Sequence, residues 1–209
     1  MPIYSAEVSV TAIVPLKALE HAKRRLSGRL TAVQRRAVVR SVFLHVLDVC
    51  LVTPAIDRTV AVVGDAAGAA LAAQRGVRAI PEAGAGLNRA LRLATSRLPA
   101  DATSLVVVAD LPELTSADLS AVVTAGTAGG GATVLLAPTH DGGTGALLRH
   151  PAAVIAPAFG EASAAAHLRA AQRAGVRAGV LWRAGLARDL DRPTDLDRYP
   201  GLVTGARAL

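Results

Sequence analysis

Apolar residues fall along the chain in short, mostly β-branched runs, separated by longer stretches where they recur every three or four positions. The runs read as strands buried on both faces, and the stretches as helices with one apolar face. The first strand is expected over residues 8–14, closed by Pro15, with a basic segment following it as a loop. Thr31 and Gln34 have capping-box spacing, which predicts a helix to about Asp48. A strand at 58–63, a helix at 66–75 ending at Gly76 and a short strand at 77–80 come next. Gly84-Ala85-Gly86 then loosens the entry to a helix from Leu87 to about Leu98. The run at 104–108 leads into Ala109-Asp110-Leu111-Pro112, and Thr115 caps a helix over 116–125. Further on, strands are expected at 133–137, 146–149 and 177–181, with a helix from Ser163 to about Ala174 between the last two. Asp141 to Gly145 reads as a turn, Thr194 as the cap of a last short helix, and the tail from Tyr199 has no periodicity.

Continuous apolar strands alternating with helices give an α/β three-layer sandwich with a mostly parallel sheet, read as one domain over residues 1–209. Ligands of such sheets bind beyond the carboxyl ends of the strands. Three polar groups fall on that rim: the basic loop after the first strand, Asp110, and Asp189 with Asp191.

Composition narrows the picture. The chain is 52% hydrophobic and 19% charged, so a packed core is expected over nearly its whole length. Aromatic residues make up 2%, too few for a platform that stacks single-stranded nucleic acid. No apolar run reaches the roughly 18 residues of a membrane span, and the first ten residues have no basic-then-apolar leader. A single cysteine, Cys50, rules out an internal disulfide, and a cytoplasmic protein is expected. The net charge is +7, but the cations are scattered rather than blocked, which argues against nucleic acid as the partner. Of 23 basic residues only Lys17 and Lys23 are lysines, and both sit in the loop after the first strand. Compact ammonium groups beside the arginines there suit a polyphosphate, although a solvated turn has the same composition.

Asp110 at a strand's end, and Asp189 and Asp191 two apart in an extended segment, can face one divalent cation such as Mg²⁺. Each also has an ordinary reading, as a turn cap or a surface Arg/Asp pair. The glycines of Asp141-Gly142-Gly143-Thr144-Gly145 free backbone N–H groups for an anion, and Thr144 adds a hydroxyl; a plain tight turn reads the same way. Ser163 is either part of an anion site at a helix start or an N-cap. The glycines before Asn88 allow close approach to a base or ribose.

In their order along the chain, Val14-Pro15-Leu16-Lys17, Ala22-Lys23-Arg24-Arg25-Leu26, Gly86-Leu87-Asn88, Ala109-Asp110-Leu111-Pro112, Asp141-Gly142-Gly143-Thr144, Phe159-Gly160 with Ser163, and Asp189-Leu190-Asp191-Arg192-Pro193-Thr194 form a specific set. The set resembles the 2-phospho-L-lactate / phosphoenolpyruvate guanylyltransferases of coenzyme F420 biosynthesis. The resemblance implies a nucleotide-diphospho-sugar-transferase-like fold, akin to the molybdopterin guanylyltransferases. It also implies attack of a substrate phosphate on the α-phosphorus of GTP, with loss of pyrophosphate. By that resemblance Lys17, Lys23, Arg25, Asn88 and Asp110 bind the nucleotide. Lys17, Lys23 and Asp110 are then catalytic, and Asp110, Asp189 and Asp191 hold Mg²⁺. Thr144, Gly145, Gly160 and Ser163 bind the acceptor, phosphoenolpyruvate or 2-phospho-L-lactate. The family usually has Asn where Gly145 stands and Asp-Arg where Thr139-His140 stands, both on the acceptor side. The alternatives are another small nucleotidyltransferase, of molybdopterin or sugar-phosphate type, and an anion-binding protein of the same fold without catalysis.

Overall fold

Seven strands pair into one sheet: β1 (Val10–Leu16), β2 (Arg58–Val63), β3 (Arg78–Pro81), β4 (Thr103–Val107), β5 (Thr133–Pro138), β6 (Thr144–His150) and β7 (Arg177–Val180). The computed structural model describes residues 9–21, 23–82, 84 and 86–207; Val8 and Ala85, assigned above to a strand and a loop, lie outside these. The strand order is β3-β2-β1-β4-β6-β5-β7. β6 runs antiparallel to β4 and β5, and the other pairings are parallel.

The helices are α1 (Ala32–Val52), α2 (Ala66–Ala73), α3 (Leu87–Thr95), α4 (Ser116–Thr127), α5 (Ser163–Arg173), α6 (Ala184–Ala187) and α7 (Pro200–Arg207). Alternate strand residues divide the core between two faces. Ala12, Val14, Leu105 and Val107 pack with Phe43 and Leu47 of α1, Leu71 of α2 and Leu119 of α4. Ile13 and Val106 pack on the opposite side with Leu91 of α3 and Ala171 of α5. The expected three layers are therefore present. Phe43 is fully buried, and truncating such a side chain costs about 3–5 kcal/mol. A smaller cluster joins Leu26 of the basic loop and Leu190 and Leu196 of the C-terminal segment to Val38 and Val42 on the outer face of α1. It fastens two of the three rim segments to one helix.

The expected capping box at Thr31–Gln34 is formed, and the expected cap Thr115 is part of a second box, with Asp118. Some boundaries differ, for local reasons. β1 continues through Pro15 to Leu16. Odd-numbered β1 residues face β4, since Thr103 N–H donates to the Ser9 carbonyl while Gly64 N–H donates to that of Leu16. Pairing with β4 ends at Ile13, so the N–H that proline lacks has no ladder partner to lose. Thr144 and Gly145 are strand residues at the start of β6 rather than part of the turn. Thr194 is not a cap: the carboxylate of Asp195 accepts from the N–H groups of Asp191 and Arg192, at 2.9 and 2.6 Å. The tail, which shows no periodicity in the sequence, forms α7, whose Leu202 packs against the Leu26–Leu190 cluster.

Candidate active site

A cavity of about 450 Å³ opens at the carboxyl ends of β1 and β4. The connections from these two neighbouring strands lead toward opposite edges of the sheet, to β2 and to β5, and the point where the order reverses is where such folds bind ligands. Lys17, Lys23, Asp110, Asp189 and Asp191 line one side of it, and Thr144, Gly160 and Ser163 another.

The charged side is built by the loop after β1. Asp65 anchors the loop: one carboxylate oxygen caps α2 at Gly68, and the other accepts from Leu19 N–H at 2.7 Å. Lys23 stands in the left-handed region (φ 53) at the head of the short 3₁₀ turn Arg24–Gly28. Its ammonium donates to Asp110 Oδ2 and lies 3.4 Å from Asp191 Oδ1. The Arg25 guanidinium, 74% exposed, pairs with the other oxygen of Asp191. Leu190 N–H donates to the Asp110 carbonyl at 2.9 Å, and the Leu190 side chain is 1% exposed in the α1 cluster. The residues on either side of it, Asp189 and Asp191, therefore face the cavity, as the alternation predicts. Lys17 lines the same cavity from an exposed position.

Charge here exceeds what its partners balance. Burial, then the like charges of Asp110 and Asp141, push Asp189 up to about 6 against the pull of Lys23. Burial acts upward on Asp191 too, but the neighbouring Lys23 and Arg25 hold its carboxyl below the usual range. Burial would lower the pKa of Lys23; Asp110 first, then Asp191 and Asp189, more than reverse this and raise it. Among the described residues no three Asp, Glu, His or Cys side chains are gathered tightly enough to hold a metal ion. The donor chemistry nevertheless fits Mg²⁺. The groups are hard carboxylate oxygens, two of them already share the Lys23 ammonium, and a third is raised by burial and by its like-charged neighbours.

The residues expected on the acceptor side, Thr144, Gly145, Gly160 and Ser163, are neutral. The glycine N–H groups of the β5–β6 turn are used inside the turn: Gly142 donates to the Thr139 carbonyl and Gly143 to Asp141 Oδ1, at 3.1 and 3.0 Å. The backbone anion nest, one of the two readings of this turn, does not form, whereas Thr144 does line the cavity. Gly145 has a packing role. A Cβ on it would stand 2.1 Å from the Leu186 carbonyl oxygen, so the Asn usual in the resembling family has no room. Ser163 opens α5 without capping it; Ala162, at φ 50, is the N-cap. The Ser163 hydroxyl donates to Thr144 Oγ1 at 3.0 Å instead. Gly160 lines the cavity at φ +142, a conformation that favours glycine. Asn88 uses its amide on the Phe159 backbone, donating to the carbonyl at 2.9 Å and accepting from the N–H at 2.8 Å. It thus ties α3 to the loop that carries Gly160.

One participant escaped the sequence reading. His167 is fully buried, 3.1 Å through Nδ1 from Thr144 Oγ1, and its Nε2 accepts from Ala158 N–H at 2.9 Å. The available signal was spacing: His167 lies four residues after Ser163, on the same helix face.

Residues 10–199 match the family described as guanylyl transferase CofC like. The chain belongs to this family. It is 38% identical over 198 residues to the phosphoenolpyruvate guanylyltransferase of Sphaerobacter thermophilus, covering 93% of this chain and 94% of the relative. The enzyme of the same name from Conexibacter woesei is 33% identical over 205 residues, 96% of this chain and 91% of its own. Among solved structures, a protein from Desulfovibrio desulfuricans G20 assigned to the nucleotide-diphospho-sugar transferases superposes with TM-score 0.72 at 14% identity, over 95% of this chain and 98% of that one. A 4-diphosphocytidyl-2C-methyl-D-erythritol synthase gives 0.65 at 20%, over 94% and 98%. These two likenesses establish the nucleotide-diphospho-sugar transferase fold, as the sequence resemblance implied. Among the described residues no helix is long and apolar enough to cross a membrane.

Proposed function

We propose that the protein transfers the guanylyl group of GTP to the phosphate of phosphoenolpyruvate, releasing pyrophosphate, as a step of coenzyme F420 biosynthesis. Family membership and the activity of the relatives named above support the choice of substrates. The observation that carries the chemistry is the meeting of Lys17, Lys23, Asp110 and Asp191 in one cavity with the hydroxyls of Thr144 and Ser163.

Lys17, Lys23 and Arg25 hold the triphosphate and offset its charge. Thr144, Gly160 and Ser163 hold the acceptor phosphate in line with the α-phosphorus. An anionic acceptor oxygen attacks that phosphorus while the bond to the α,β-bridging oxygen breaks, and pyrophosphate departs with the electron pair. The nucleophile is already deprotonated near neutral pH, so no residue has to act as a base. Asp110, Asp189 and Asp191 would hold Mg²⁺, which when bound neutralises part of the phosphate charge.

The test is an acceptor screen with GTP and Mg²⁺, reading pyrophosphate release and product mass. Pyrophosphate and a guanylylated enolpyruvate are expected with phosphoenolpyruvate. Turnover of 2-phospho-L-lactate in its place would reassign the acceptor, and preference for CTP or ATP would move the protein to a sister nucleotidyltransferase activity. No pyrophosphate with any pair overturns the proposal.

A further inference from the structure

The hydroxyls of Thr144 and Ser163 carry two protons, and what they can offer an anion depends on where those protons go. Ala158 N–H points at His167 Nε2, so that nitrogen is bare. Burial first, and then the charge of Arg149, push the imidazole down to about 4, so at neutral pH the ring has a single proton, on Nδ1. That N–H donates to Thr144 Oγ1. One hydroxyl proton then joins Ser163 to Thr144, and the second remains for the cavity whichever way the pair is oriented. The opposite tautomer would reverse this. A bare Nδ1 would take the Thr144 proton, Ser163 would donate to Thr144, and the pair would face an anion with lone pairs alone.

We propose that His167 is a positioning residue of the acceptor site, whose Nδ1–H tautomer keeps the Thr144–Ser163 pair a hydrogen-bond donor toward the acceptor's anionic group. The proposal rests on the reading of Thr144 and Ser163 as acceptor-binding residues. The same ring holds Ala158 while Asn88 holds Phe159, so the backbone leading to Gly160 is pinned from α5 and α3 at once.

Two measurements test it. Long-range ¹H–¹⁵N correlation on the free wild-type protein is expected to show His167 protonated at Nδ1 and bare at Nε2; the reverse pattern overturns the proposal. In steady-state kinetics, His167→Leu is expected to raise the acceptor KM about 10- to 100-fold while the KM for GTP stays within about threefold. His167→Gln, which offers one N–H and one carbonyl to the same two partners, is expected to keep the acceptor KM within about fivefold of wild type. An unchanged acceptor KM in His167→Leu, or equal rises for both substrates, overturns the proposal. Should His167→Leu fail to fold, the tautomer and the Gln variant decide. The failures separate: wild-type protein that releases no pyrophosphate refutes the guanylyltransferase reading, and the tautomer is still read from the free protein.

Discussion

The two walls of the cavity are assembled by different means. Around Lys23, full charges satisfy one another through long, partly exposed side chains on a loop, with one carboxyl left raised. Around Thr144, neutral groups on β6 and α5 are buried and joined to one another by hydrogen bonds. The first wall suits a ligand whose charge must be neutralised and whose arrival exchanges one set of ion pairs for another. The second suits a small anion that must be held at a fixed angle before bonds are made.

The largest effect expected from breaking this contrast is on the charged wall. Asp110→Asn removes the carboxylate on Lys23 and should lower pyrophosphate release from GTP and phosphoenolpyruvate about 1,000-fold; undiminished release would remove Asp110 from the metal set. Next in size is a division of labour. Lys17→Ala should raise the KM for GTP about tenfold with less effect on the acceptor, and Ser163→Ala should do the reverse. Equal losses for both substrates in either variant would erase the distinction between the walls.

The smallest effect is the most discriminating, because the walls respond to acid in opposite directions. Asp189 is raised to about 6, so the folded protein holds its proton more tightly than the unfolded chain does. Its stabilising contribution is lost as pH rises from about 4 through 6. His167 is lowered to about 4, and its contribution is present above about 6.5 and lost as pH falls toward 4. In thermal unfolding with chelator present, Asp189→Asn should raise the midpoint by a few degrees above pH 6 and converge on wild type near pH 4. His167→Gln should flatten the acid limb between pH 6.5 and 4. Slopes of the same sign in both variants would contradict the contrast.

What could be read without coordinates follows from how local each signal is. Strand runs such as 58–63 and the Thr31–Gln34 box are decided within a few residues, and the structure reproduces them. The meeting of Lys23 with Asp110 follows from strand order, since β1 and β4 are parallel neighbours; Asp191 comes after β7 at the far edge and is brought to them by the Leu190 N–H bond to the Asp110 carbonyl and by Leu190 packing on α1. The Asn88–Phe159 pair joins residues 71 apart through backbone atoms, which carry no sequence signature. The helix α7 has an apolar face only in relation to α1 and the Leu190 segment, so its periodicity has little meaning in isolation. The hydroxyl of Ser163 had two available uses, and the choice between them was made by Thr144 across the sheet edge.

The close approach of Gly145 to the Leu186 carbonyl has an evolutionary corollary. A lineage acquiring any side chain at 145 must first relocate the peptide at 186, and a lineage that moves that peptide loses the requirement for glycine. The two sites, 41 positions apart in the chain, should therefore change together or not at all, so covariation between them would mark which relatives share this local packing.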